Sequence, residues 1–220
     1  MSNPPLRVNS FIPFTQVEGP GNRACVWVQG CSIRCRGCFN SSTWPADGGT
    51  EIEAATLVDR ILGQPGIEGV TFLGGEPFEQ ALALAALAER VQEAGLSVMT
   101  FTGFTLENLR DNPLPGTMRL LAATDLLVDG PYVAASPDRL RPWVGSTNQR
   151  FHALTDRYEA IIDSLPGIPD RLEVRLEADG RVLINGMASA QQIAAIAREV
   201  KSNRDVRIRA DDEKGKVAVR

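Results

Sequence analysis

Four short apolar, β-branched runs alternate with helix-like stretches, and that alternation limits the fold more than any other feature. The runs occupy 24–29, 69–73, 97–102 and 124–128. Helical patterns fall at 51–62, 78–94 and 105–110. Thr50 can cap the first, Gly63 and Pro65 end it, and Gly95 closes the Ala/Leu-rich second. Strands and helices at this spacing predict βαβ units around a parallel sheet, an α/β class. Ligands of such sheets sit at the carboxyl ends of the strands. The loops after Gln29, Leu73 and Val128 all leave strands at that end and are expected to meet in space. Within the Ala/Leu helix, Leu84, Leu87 and Val91 form a core stripe.

From about Pro166 the pattern changes. Pro166-Gly167-Ile168-Pro169 reads as a linker, and 171–177 alternates, with Leu172, Val174 and Leu176 on one face. Asp179-Gly180 is a hairpin turn signal, and 182–184 makes the returning strand. An amphipathic helix over 189–201 and short strands at 205–209 and 216–219 complete a small α+β appendage. The expected division is a core over 1–165 and the appendage over 166–220.

Composition excludes several classes. Of 220 residues, 43% are hydrophobic and 23% charged, an ordinary globular balance. The net charge of −4 gives no electrostatic reason to expect nucleic acid or a membrane surface as partner. The longest nearly unbroken apolar run, 81–88, is far below the ~18 residues of a membrane span. The N-terminus lacks the charged-then-apolar pattern of a leader. A soluble cytoplasmic protein is the simplest expectation.

Of four cysteines, Cys31, Cys35 and Cys38 fall within eight residues, and Cys25 lies upstream. In a reducing compartment clustered thiols indicate metal binding or redox work. The C-x3-C-x2-C spacing lets a tight loop hold three irons of a cubic 4Fe-4S cluster, leaving the fourth iron open to a small molecule. Gly37 supports the sharp turn, and Arg34 and Arg36 can offset the cluster's negative charge. A zinc knuckle completed by Cys25 is the competing arrangement, but Cys25 sits in a strand-like run and reads as a small buried hydrophobe.

Cys31–Cys38 followed by Gly74-Gly75-Glu76-Pro77 at the end of the next strand resembles the radical S-adenosylmethionine (SAM) superfamily. More narrowly, Gly37-Cys38-Phe39-Asn40-Ser41-Ser42-Thr43-Trp44 is similar to the anaerobic ribonucleotide reductase activating proteins, which are glycyl-radical activases. Glu18-Gly19-Pro20-Gly21-Asn22-Arg23, the run from Asp125 to Pro131, and Gly145-Ser146-Thr147-Asn148-Gln149-Arg150 also resemble that group. The resemblance covers roughly 8–155 and implies a partial (β/α) barrel of radical SAM type.

It implies that Cys31, Cys35 and Cys38 ligate a 4Fe-4S cluster and that SAM chelates the open iron. Gly74 and Gly75, lacking side chains, let the backbone approach the methionyl amine. Glu76 can accept from that amine with charge assistance, and Pro77 starts the following helix at N1. Phe39 would lie along the adenine, or else be a core aromatic. Thr100 and Thr102 end the third strand within reach of the ribose. Asp129, Asn148 and Arg150 are candidates for contact with substrate or a cation. Arg139 and Arg141 read as a solvated face, and His152, the only histidine, as packed.

The implied chemistry is reductive cleavage of SAM to methionine and a 5′-deoxyadenosyl radical, which takes a hydrogen atom from a glycine of a partner protein such as anaerobic ribonucleotide reductase. A flavodoxin or ferredoxin would supply the electron. Two alternatives remain open at this level: a radical SAM enzyme acting on a small molecule or on a modified peptide paired to the 171–184 strands, and a non-enzymatic zinc-knuckle protein.

Overall fold

The computed structural model of the chain describes residues 4–176, 182–187, 192, 194–196 and 198–199. It opens with an antiparallel pair, β1 (Leu6–Thr15) and β2 (Arg23–Val28). There follow β3 (Thr50–Ile52), α1 (Ala54–Leu62), β4 (Gly69–Gly74), α2 (Ala81–Glu93), β5 (Ser97–Phe101), α3 (Leu106–Asp111), α4 (Thr117–Ala122), β6 (Leu126–Asp129), β7 (Arg150–Ala153) and α5 (Glu159–Ser164). These seven strands make one sheet in the order β3-β1-β2-β4-β5-β6-β7. Its centre, β2-β4-β5-β6, is parallel, and both edges are antiparallel. A mixed α/β fold around a largely parallel sheet results.

The two faces of the sheet differ because side chains alternate along each strand. Ala24, Val26 and Val28 of β2, Val70 and Phe72 of β4, Val98 of β5 and Leu127 of β6 face the helices and form the main core. The α2 stripe of Leu84, Leu87 and Val91 is wholly buried against them, as its helical spacing predicts. Burying each leucine contributes about 1.5–3 kcal/mol. The opposite face carries Cys25, Trp27 and Leu73 in one apolar cluster and Met99, Leu126 and Val128 in another.

β8 (Leu172–Leu176) and β9 (Val182–Gly186) form a separate antiparallel pair. They are pinned to the turn after β1: the Thr15 hydroxyl donates to Glu173, Asn185 Nδ2 donates to Thr15 Oγ1 at 2.9 Å, and the Gly186 amide donates to Glu18 at 2.8 Å. Burial there raises the Glu18 carboxyl to about 7. The described residues of 192–199 are helical, in line with the helix expected over 189–201. The Asp179-Gly180 turn and the strands expected at 205–209 and 216–219 lie outside the described residues.

Some local expectations are corrected. Residues 50–52 are a strand, because pairing Leu6, Arg7 and Val8 with Ile52, Glu51 and Thr50 extends the sheet; the helix begins later, with Glu53 at its N-cap. The Ala/Leu helix begins at Ala81, and Pro77–Gln80 is a 3-10 turn before it. Edge strand β7 and helices α4 and α5 were not anticipated. No described helix is long and apolar enough to cross a membrane.

Candidate functional site

The loop after β2 is closed at its neck. Gly30 and Cys31 amides donate to the Thr43 and Trp44 carbonyls at 2.7 and 3.2 Å. Gln29, nearly buried, donates from its side chain to Pro45 O at 2.7 Å and accepts from Asn9 at 2.8 Å. The cysteine loop is therefore held at both ends by the sheet. Within it Arg34 and Gly37 take left-handed backbone angles, φ 50° and 82°, which fold the three cysteines into successive turns. Cys31, Cys35 and Cys38 are half-buried free thiols. Burial pushes the Cys31 and Cys35 thiols up, opposed by main-chain amides, that of Tyr132 at Cys35.

Cys25 is apart from them. It is wholly buried on β2 between Trp27 and Leu73, and burial drives its thiol well above the usual range. A four-thiolate zinc site using Cys25 has no support in this placement, since its side chain packs within the sheet.

The end of β4 interlocks with the cysteine loop. The Gly75 and Glu76 amides donate to Val28 O and Gly30 O, each at 2.8 Å. A Cβ on Gly75 would stand 2.1 Å from Gly30 O, and one on Gly74 would stand 2.8 Å from Trp27 Cα. Backbone-to-backbone packing this close is possible only for glycine. Gly75→Ala is expected to push the two loops apart, at a cost of about 1–3 kcal/mol. Iron content after anaerobic reconstitution and the thermal midpoint, measured together, should both fall.

Glu76 is 1% exposed. Its Oε1 accepts from the Phe78 amide at 2.9 Å and from Thr102 Oγ1 at 2.8 Å, and its Oε2 from the Gly103 amide at 2.9 Å. Burial raises this carboxyl to about 7 against the pull of those donors. Glu76 and Thr102 are thus brought together, with Pro77 buried beside them. Thr100 is not: its hydroxyl lies against Thr124 at 3.0 Å, on the helix side of the sheet, so it does not reach the ribose as expected.

Loops meet at this end. A Cβ on Gly103 would lie 2.7 Å from Ile33 Cδ1, and one on Gly37 3.3 Å from Ala134 Cβ. Phe39 stands over Tyr132 with ring centroids 5.6 Å apart. It is 55% exposed, which removes the core-aromatic reading.

Asp129 is wholly buried and accepts from the Leu106 amide at the start of α3 at 2.7 Å and from Arg150 Nε at 2.9 Å. Arg150 also pairs with Glu107 at 2.6 Å. His152 Nε2 lies 3.1 Å from Asp129, half-buried. Asn148 donates to Pro131 O at 2.7 Å. All three candidate substrate contacts thus bind neighbouring parts of the chain. Arg139 is exposed as expected. Arg141 is not a solvated residue: it pairs with Asp138 and lies over the Phe151 ring at 5.6 Å.

Sequence reasoning missed Glu79, whose Oε1 accepts from the Ser32 amide at 2.9 Å and from its hydroxyl, tying the 3-10 turn to the loop beside Cys31. Its place two residues past Pro77, on the turn facing the loop, was the available signal.

The donor set fits an iron–sulfur cluster. Three thiols share one closed loop, and the Asn40 amide already donates to Cys38 Sγ at 3.3 Å, the kind of bond that tunes such centres. The indole N–H of Trp44, next to the loop's neck, is buried without a hydrogen-bond partner among the described residues. Among the described residues no three His, Cys, Asp or Glu groups converge on one metal-ion position. A four-iron cube instead takes one thiolate at each of three separate corners.

Residues 17–152 match the family model described as a 4Fe-4S single cluster domain. The anaerobic ribonucleoside-triphosphate reductase-activating protein of Vibrio cholerae is 32% identical over 68% of this chain and 99% of its own length. Proteins of the same name from bacteriophage T4 and Escherichia coli K12 are 30% and 28% identical, over 96% and 99% of their lengths. The solved QueE from Escherichia coli overlaps 46% of the chain and 53% of its own, at 20% identity and a TM-score of 0.38.

Proposed function

The chain belongs to the 4Fe-4S single cluster domain family, among the anaerobic ribonucleoside-triphosphate reductase-activating proteins, and from that premise we propose that it is a radical SAM activase of an anaerobic ribonucleotide reductase. The observation that carries this reading is the interlock of the cysteine loop with Gly75 and Glu76, which makes cluster loop and SAM motif one rigid unit. When bound, the cluster supplies the electron that cleaves SAM to methionine and a 5′-deoxyadenosyl radical, which takes hydrogen from a glycine of the reductase.

Cys31, Cys35 and Cys38 hold the cluster. The Gly75 and Glu76 amides are engaged by the β2 end, so the carbonyls at Gly74 and Gly75 receive the N–H groups of the methionyl amine, which donates to acceptors only. A carboxylate offers about four acceptor sites, and three donors already occupy Glu76. One site remains, and it receives an N–H of that amine. Phe39 lies along the adenine, and Thr102 holds Glu76 in place. Asp129 and Arg150 set the α3 end and the β6–β7 loop around the site, and Asn148 fixes that loop at Pro131.

Glu76 makes binding pH-dependent. Its carboxyl is neutral below about 7, so its strength as an acceptor for the amine N–H groups grows as pH rises through that value. Equilibrium dialysis should find SAM affinity rising with pH across this range in the wild type. The dependence should be flattened, and binding weakened, in Glu76→Gln.

The parallel run β2-β4-β5-β6, with helices packed on one face, supports a partial barrel. The separate β8–β9 sheet and the turn at Leu165–Gly167 support a boundary between core and appendage at 165/166. Clustered free thiols suit the cytoplasm, where a flavodoxin or ferredoxin supplies the electron. Reconstituted protein incubated with SAM and a strong reductant should release 5′-deoxyadenosine; absence of that product with a full cluster would defeat the reading.

A further inference from the structure

On a chain of net charge −4, residues 30–46 carry two cations, Arg34 and Arg36, and no acid. Both arginines are exposed, and neither guanidinium has an ion-pair partner among the described residues. They flank Cys35, and the 55%-exposed Phe39 follows Cys38 directly. Beside Phe39, the β6–β7 loop adds Tyr132 through ring contact and the exposed Val133.

The sheet side of this loop is occupied. Gly30 and Cys31 are bonded to Thr43 and Trp44, Ser32 to Glu79, and Ile33 packs toward Gly103. Arg34 and Arg36 are exposed to solvent on either side of the half-buried Cys35. Exposed cations without ion-pair partners are the complement of an acidic protein, and cations held free of carboxylates steer such a partner over distance.

We propose that Arg34 and Arg36 form the docking surface for an acidic one-electron carrier protein. This rests on the cluster-binding reading above and adds where the electron enters. One electron leaves the reduced carrier, which is oxidised by one electron, and enters the cluster, which is reduced by one; no bond forms or breaks. The adjacency of both arginines to Cys35 in the chain favours entry there, leaving the Gly75–Glu76 side to SAM.

The test compares two reductants on anaerobically reconstituted protein, following cluster bleaching by stopped flow. Reduced flavodoxin is the acidic carrier, and photoexcited 5-deazaflavin a small reductant needing no docking. For the double variant R34E/R36E the carrier-driven rate at low salt should fall at least about tenfold and lose its salt dependence. With both rates taken per cluster from iron content, the deazaflavin-driven rate should fall far less than the carrier-driven rate, which separates docking from the arginines' effect on the cluster's charge. R34Q/R36Q, the variant to rely on if charge reversal impairs cluster loading, should show a smaller loss in the same direction.

An unchanged carrier-driven rate would overturn the proposal. So would an equal loss with both reductants, which would mean that the arginines act on the cluster itself. A loss confined to glycyl-radical formation on the reductase would also overturn it, assigning the surface to that protein. Wild-type protein that takes up no iron would instead defeat the underlying cluster reading.

Discussion

Replacing any one of Cys31, Cys35 or Cys38 with Ala is expected to abolish glycyl-radical formation and leave reconstituted protein without a stable four-iron cluster. Cys25→Ala should retain about four irons per chain. The contrast follows from placement. The three thiols share one closed loop whose ends are tied to β2 and β4, and no other cysteine can substitute, because Cys25 is wholly buried in the sheet. Losing Cys25 removes one small buried group, at a cost of about 1 kcal/mol. Iron and sulfide analysis of the four variants checks this. Loss of iron in Cys25→Ala at unchanged fold would contradict the three-to-one division.

Arg23→Met is expected to cost about 3–5 kcal/mol of folding stability, the scale of breaking a buried charged network. Arg23 is wholly buried. Its Nε donates to Thr71 Oγ1 at 2.7 Å, and Nη1 donates to Pro20 O, Ser97 Oγ and Tyr158 OH at 3.0–3.1 Å. Nη2 reaches Val70 O at 2.5 Å and Ser97 O at 3.4 Å. One guanidinium thus joins β2, β4, β5, the turn before β2 and the segment leading to α5. Methionine fills much of the volume but leaves several buried acceptors without donors, at about 1–3 kcal/mol each before relaxation. Relief of the guanidinium's own desolvation offsets part of this. Lysine has too few donors to replace the fork. Urea denaturation should show a lower midpoint at unchanged slope, and a change below about 1 kcal/mol would contradict the role.

The parallel centre of the sheet was legible because its strands are apolar, β-branched and separated by helical patterns. Its edges were not. β3 is three residues long, and Thr50 carried a cap signal as strong as any strand signal; what decides it is pairing with β1, which lies 42 residues or more upstream in sequence and leaves no local trace. β7 begins with a charged residue whose partner, Asp129, is known only once β6 and β7 are side by side. α4 starts after Gly116 in a left-handed conformation without a side-chain cap, so no capping residue announced it.

In the site, the three cysteines and Gly74 to Pro77 were readable, because cluster ligation and close backbone approach demand particular residue types. Thr100 was misplaced although its parity gave the answer: it shares a face with Val98, which meets the helices. Arg23 and Glu79 act through partners distant in sequence, and only the fold reveals them.

The most direct test is electron paramagnetic resonance of an anaerobic mixture of this protein, SAM, a reductant and the reductase subunit. The account predicts a glycyl-radical doublet on the reductase that requires all four components and disappears with Cys35→Ala. Cleavage of SAM with no such doublet would contradict it and direct the radical to another substrate.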